Sequence, residues 1–318
     1  MRFRASAPDM DNRPKLKLGT RRAPLALAQA YEARARLCAA HGWDESEVEL
    51  VPVVATGDKV QDRPLAEIGG KALWTKELDQ WLAERRIDAA VHSMKDVETI
   101  RPGELALGAV LPRADVRDVL VGADSIAGLP EGARVGTSAP RRAAQLLNAR
   151  PDCTIVPFRG NVATRLAKLE AGEADATLLA AAGLARLGEG SVGTPLDPLR
   201  WLPAPAQGAI GIECRTSDFS TRELLAAIDH LSTRAQVMAE RALLAGLGGT
   251  CHSPIAVLSI GAEGAITLRA ALFSADGRER TDGEESFLAG DIEAPRMLAV
   301  ELLSRATPAI AALFAGGG

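Results

Sequence analysis

Short apolar runs and longer segments with helical spacing alternate along most of this chain. Residues 15–20 (KLKLGT) predict a strand, and residues 24–42 (PLALAQAYEARARLCAAHG) a helix opened by Pro24 and closed by Gly42. Residues 48–56 predict a second strand, 71–86 (KALWTKELDQWLAERR) a second helix and 88–94 (DAAVHSM) a third strand. Near Pro112 the pattern restarts, with strands at 133–137, 153–160 and 175–181. Helices fall between them at 138–150, with Pro140 in the first turn, and at 162–172. Such alternation argues for α/β domains built on parallel sheets covered by helices. The halves also echo one another: KLGTRRAPLALAQA resembles RVGTSAPRRAAQLL, and LAERRIDAAVHS resembles LEAGEADATLLA. Two similar domains facing each other would form a cleft, with the strand-to-helix turns at its lip.

After residues 201–215 (WLPAPAQGAIGIECR) the pattern changes. Helices are expected at 221–231 and 233–247, the second with Val237, Leu243, Leu244 and Leu247 at helical spacing and Gly248-Gly249 closing it. Strands at 255–260, 265–273 and 284–290, separated by the turn signals Glu263-Gly264 and Asp276-Gly277, precede a final helix at 293–314. This reads as a third, α+β domain with a small antiparallel sheet. The expected division is a disordered leader at 1–14, a first domain at 15–111 and 201–218, a second at 112–200 and a third at 219–318.

Length and composition sharpen this picture. The 318 residues suit two or three domains, and an apolar fraction of 47% suits real cores. A net charge of −4 argues against a general nucleic-acid binder, so any anion site must come from local Arg and Lys clusters. Cys38, Cys153, Cys214 and Cys251 form no CxxC pair, which favours a reducing compartment over a disulfide framework. No signal peptide or membrane-spanning run is evident, so a cytoplasmic protein is expected, a monomer by default.

The arginines carry most of the chemical signal. Arg141 and Arg142 fall in the first turn of a helix, and Arg21 and Arg22 nearly do. The helix dipole disfavours cations there by about 0.3–1 kcal/mol, so a repeated placement calls for an anion. Arg159 and Arg165 follow the next strand, and Lys71 and Lys95 complete a basic set at the same edge. A guanidinium fork suits carboxylates or phosphates, and carboxylates lead because no nucleotide phosphate loop follows a strand. Asp96, in VHSMKD, could stay ionised among these cations and handle protons, although a turn-capping aspartate is the commoner role. His92 reads as a core strand residue, and no metal site is indicated. Cys251, in LGGTCHSP, could be a buried small side chain, a nucleophile, a disulfide partner or an attachment point, zinc being disfavoured. A binding protein for dicarboxylates and a cysteine-dependent hydrolase or transferase are the rival functional readings.

Seven segments in order then resemble one family. TRRAPLALAQA, LAEIGGKALWTKELD, VHSMKD, VGTSAPRRAAQL, FRGNVATRL, LPAPAQGAIGIECR and AERALLAGLGGTCHSPIA together resemble the porphobilinogen deaminases, or hydroxymethylbilane synthases, over nearly the whole chain. The resemblance implies three domains, the first two like periplasmic binding proteins. It implies a dipyrromethane cofactor held by a thioether on Cys251, priming the stepwise addition of four porphobilinogen units with loss of ammonia. Asp96 matches the aspartate that assists deamination and stabilises positive charge on a pyrrole nitrogen. Arg21, Lys95, Arg141, Arg142, Arg159 and Arg165, with Thr137 and Ser138, match residues binding cofactor and substrate carboxylates, and Lys71 matches a lid lysine. The chain departs from the pattern at Ala23 and Ala139, where serines are commoner, and at Glu67, Pro140 and the GGTCHSP context of the cysteine.

Overall fold

A computed structural model of the chain describes residues 14–54, 75–250, 253–262 and 264–314. The expected leader, Glu67, Lys71 and Cys251 therefore lie outside the described residues, Pro14 apart. The first sheet contains β1 (Leu16–Arg21), β2 (Val48–Val53), β3 (Ala89–Ser93), β4 (Leu105–Val110) and β10 (Ile210–Arg215). Helices α1 (Pro24–His41) and α2 (Lys76–Ala83) accompany it. The second holds β5 (Asp118–Val121), β6 (Arg134–Gly136), β7 (Thr154–Val156), β8 (Ala176–Ala180) and β9 (Thr194–Pro195). With it run α3 (Pro140–Ala149), α4 (Val162–Glu170) and α5 (Ala181–Arg186). Next come α6 (Phe219–Ala226) and α7 (Leu231–Gly246), then the sheet β11 (Ile255–Ala262), β12 (Ala265–Phe273) and β13 (Arg280–Leu288), and last α8 (Glu293–Arg305) and α9 (Pro308–Ala311).

The echo in the sequence is an echo of topology. The strand orders are β2-β1-β3-β10-β4 and β7-β6-β8-β5-β9, the same arrangement twice. In each sheet the first three strands are parallel, and the fourth position is filled by a strand antiparallel to its neighbours, β10 in one and β5 in the other. The sheets are thus mixed rather than purely parallel as expected. The reason is connectivity: β5 and β10 follow the two chain crossings between the domains, so each enters its sheet from the opposite end to β1 or β6. Period-two burial holds the layers together. Leu16 and Leu18 of β1, Ala89 and Val91 of β3, and Ile210 and Ile212 of β10 share one core with Ala30, Ala33 and Leu37 of α1. Leu120, Val135 and Leu178 do the same in the second sheet beside Leu146 and Trp201.

The third sheet is antiparallel, β11-β12-β13, with α7 and α8 packed against it. The single helix expected at 293–314 is broken: Thr307 is extended and Pro308 starts α9. Proline cannot supply the N–H that a continuing helix needs and forces its predecessor out of the helical region. The helix expected at 221–231 instead ends at Ala226, and the His230 imidazole caps α7 by accepting from the Thr233 N–H.

Candidate active site

Both N-terminal helices of the two-sheet unit begin in the same way. Ala23 precedes α1 and Ala139 precedes α3, each followed by proline at the first turn, and neither alanine supplies a side-chain cap. A Ser or Thr cap would satisfy one first-turn N–H and stabilise the helix by about 0.5–2 kcal/mol. Thr137, buried, uses its hydroxyl to accept from the Ala139 N–H at 3.2 Å, while Ser138 is exposed.

Arg141 and Arg142 are buried, and the anion they face is internal. Arg141 Nη2 and Arg142 Nη2 each donate to Asp118 at 2.7 Å, one to each carboxylate oxygen. Trp201 Nε1 and Gln207 Nε2 donate to the same carboxylate at 2.9 and 2.8 Å. The two arginines also donate to the carbonyls of Leu202 and Leu178 at 2.8 Å. Burial alone would raise the Asp118 pKa, but the two guanidinium groups outweigh it and hold the carboxyl well below the usual range. Asp118, Trp201 and Gln207 were not singled out from the sequence, because nothing in their local pattern marks them as neighbours of the helix that carries Arg141.

The remaining predicted residues divide between the two domains and meet in their electrostatics. β3 ends at Ser93, whose hydroxyl exchanges hydrogen bonds with Gln29 of α1 at 2.7 and 3.0 Å. A short helical turn, Met94–Asp96, follows directly and carries Lys95 and Asp96, both half-buried. Lys95 is pushed down from 10.5 to about 8, chiefly by burial, with Asp96 opposing and Arg142 and Arg141 adding to the depression. In the second domain Arg165 is pushed down to about 10 by burial, with further depression from Arg142 and Arg159 and opposition from Asp96. Lys95 and Asp96 of one domain therefore lie near enough to Arg142 and Arg165 of the other for their charges to act on one another. Arg159 is half-buried in the loop before α4, near Gly160, whose φ of +102° turns the chain and whose carbonyl accepts from Arg165 Nε at 3.0 Å. Arg21 ends β1 at the same edge, paired in register with Val53.

Two buried nitrogens in this cluster, Arg142 Nε and Arg159 Nη1, have no hydrogen-bond partner among the described residues. A buried cationic N–H left unpaired costs free energy, so an anionic ligand would be bound where it supplies the missing acceptor. A group bearing several carboxylates fits that need. His92 is the strand residue expected, buried 3.4 Å from Glu213 Oε2, and burial lowers its pKa.

Cations of two matching α/β domains thus gather around Asp96 and the buried Asp118, an arrangement suited to a small molecule bearing several carboxylates. Comparison with known proteins makes it specific. Residues 16–223 match the porphobilinogen deaminase, dipyrromethane cofactor binding domain, and residues 234–306 match the porphobilinogen deaminase, C-terminal domain. The chain is 55% identical to the porphobilinogen deaminase of Sphingopyxis alaskensis over 306 residues, covering 94% of this chain and 96% of that one. It is 49% identical to that of Paracoccus denitrificans over 303 residues, covering 94% and 96%. Among solved structures it is similar to a periplasmic binding protein of high arginine specificity from Salmonella typhimurium, at 13% identity and a TM-score of 0.40, covering 67% of this chain and 90% of that one. The chain belongs to the porphobilinogen deaminase family. It is thus a transferase of tetrapyrrole biosynthesis, a hydroxymethylbilane synthase that uses a dipyrromethane cofactor and takes porphobilinogen as substrate. No helix among the described residues is long and apolar enough to cross a membrane.

Proposed function

We propose that Asp96 is the catalytic carboxylate of this synthase and Cys251 the point of cofactor attachment. Arg21, Lys95, Arg141, Arg142, Arg159 and Arg165, with Thr137 and Ser138, hold the carboxylates of cofactor and substrate. Lys71 joins them on the strength of the resemblance alone. What supports the reading most is the gathering of Lys95 and Asp96 of the first domain with Arg142 and Arg165 of the second, close enough for their charges to act on one another, beside two guanidinium nitrogens without a partner among the described residues.

The cofactor, when bound, supplies two linked pyrroles as the primer to which substrate units are added. The chain's own residues do the rest. Asp96, in the turn that follows β3, would take up or return a proton at the substrate's aminomethyl nitrogen and balance positive charge on a pyrrole N–H. Arg142 Nε and Arg159 Nη1 offer donors to carboxylates, each charge-assisted contact contributing about 1.5–3 kcal/mol. The Nη atoms of Arg141 and Arg142 are held by Asp118 and by the Leu202 and Leu178 carbonyls, so the two guanidinium groups are oriented before a ligand arrives.

The domains are taken as residues 15–111 with 201–218, 112–200, and 219–318. The enzyme is taken to act as a cytoplasmic monomer with no nucleic-acid partner. The test is the intact mass of the purified protein with mapping of the peptide containing Cys251. Added mass equal to two linked pyrroles on that residue supports the assignment, and an unmodified thiol that persists after incubation with porphobilinogen refutes it. Asp96→Asn should keep the adduct and lose turnover by at least about 100-fold, and near-normal kcat would remove Asp96 from its role.

A further inference from the structure

One set of contacts outside the cationic cluster joins the two ends of the proposed chemistry. Asp96 lies in the first domain, whereas Cys251 follows α7 in the third. The stretch just after Asp96 is held to the third domain through its backbone. Arg241, on α7, donates from Nη1 to the Val97 carbonyl at 3.3 Å and from Nη2 to those of Glu98 and Thr99 at 2.6 and 3.1 Å. Thr99 Oγ1 then donates to the carbonyl of Gly249 at 2.9 Å. Gly249 is buried, two residues ahead of Cys251, and its own N–H is bonded to the Leu244 carbonyl of α7 at 2.9 Å. Beyond it, Thr250 and Ser253 are hydrogen-bonded to one another by two contacts of 3.0 Å.

The same stretch is anchored on its other side. Arg101 Nη1 donates to Glu98 at 2.8 Å and to Thr75 Oγ1 at 3.2 Å, and its remaining nitrogens donate to Asp79 of α2 and to Glu213 of β10. Residues 97–101 are thus seated in the first domain by side chains and tied to the third by backbone carbonyls. Thr99 lies three positions after Asp96, and Cys251 two positions after Gly249. Chain geometry limits those segments to about 11 Å and about 7 Å, so the Thr99–Gly249 bond bounds how far the two groups can part.

We infer that Arg241 and Thr99 are positioning residues, which clamp the chain behind Asp96 to the base of the Cys251 loop and so set the register between the tethered cofactor and the catalytic carboxylate. This rests on the roles proposed above for Asp96 and Cys251. Neither clamp residue touches the reacting atoms. A loosened clamp leaves the carboxylate-binding arginines in place, so substrate binding is spared while the chemical step suffers, since a misplacement of about 1 Å can cost as much as 100-fold.

The test uses Thr99→Val, nearly the same shape without the donor, and Thr99→Ser, which restores it, both as holoenzyme. Amide hydrogen exchange is measured over residues 247–253 alongside intact mass, kcat and KM. In Thr99→Val, exchange across that peptide should rise about tenfold and kcat fall roughly 10- to 100-fold, with KM within about twofold and the cofactor mass retained. Thr99→Ser should return both readouts toward the parent. Arg241→Lys, which replaces the two-nitrogen fork by a single point charge, should show the same split. Unchanged exchange in Thr99→Val overturns the clamp, as does raised exchange with normal kcat. A loss of kcat matched by a loss of cofactor, or not restored by serine, overturns it too. Parent protein lacking the two-pyrrole mass on Cys251 would instead defeat the functional assignment, and the exchange result would then judge the clamp by itself.

Discussion

Asp118 shows how a single buried carboxylate can organise a cationic site. It is fully buried, accepts from two arginines, a tryptophan and a glutamine, and keeps two neighbouring guanidinium groups parked at one helix start. Asp118→Ala leaves both arginines buried without their counter-charge, a change that costs about 3–5 kcal/mol. The expected result is a lower urea midpoint together with a smaller fraction of protein carrying cofactor. Lys95 makes a prediction that depends on pH. Its pKa of about 8 lies below the ordinary 10.5, so between those values the unfolded chain binds more protons than the folded one and stability rises with pH. In a cofactor-free Cys251→Ser background, Lys95→Met should flatten that rise, as read by urea midpoints from pH 8 to 10.5. An unaltered slope would mean that another group titrates there.

At the scale of elements, the turn between β12 and β13 docks the third domain onto α3. Gly277 has a φ of +71°, and a Cβ built on it would meet the Ala144 carbonyl oxygen at 2.4 Å and the Asn148 nitrogen at 2.8 Å. Its own carbonyl accepts from Asn148 Nδ2 at 2.8 Å. Gly264 is also left-handed, at +81°, with nothing within 4 Å of such a Cβ. Gly264→Ala therefore isolates the backbone cost, about 1–2 kcal/mol. Gly277→Ala adds a clash with main chain that cannot give way, on the order of a further 1–3 kcal/mol. Thermal unfolding should rank Gly277→Ala clearly below Gly264→Ala, and equal melting points would show that the turn is not seated on α3.

The whole molecule is joined at a buried four-way junction. Glu240 of α7 accepts from Arg113 at 2.7 and 2.9 Å, from the Ala206 N–H and from the Ser259 hydroxyl of β11. Arg113 lies on the outgoing crossing between the domains and also donates to the Gln207 carbonyl on the returning one at 3.0 Å. Both crossings are thus fastened to the third domain through one carboxylate, beside the Arg241 that grips the Asp96 stretch. Glu240→Ala should cost about 3–5 kcal/mol and uncouple the third domain from the other two. All four tryptophans precede residue 219, so fluorescence follows the first two domains and far-ultraviolet dichroism all three. The two denaturant curves should cease to coincide in this variant, and a single shared transition would argue against the junction.

Local periodicity and turn chemistry were enough to place most helices and strands, the doubled α/β pattern and the antiparallel third domain. These follow from spacing along a few residues, which the chain carries wherever it folds. The short strand β5, the crossing strand β10 and the mixed sheets were not legible, because a strand's direction depends on where the chain enters the sheet. The arginine pair at α3 signalled an anion, yet only the fold revealed that Asp118 is the one already there. Likewise the Arg241 and Thr99 contacts join residues more than 140 positions apart. Burial, charge pairing and the register between Asp96 and the base of the Cys251 loop are properties of distant residues brought together, and tertiary packing alone decides them.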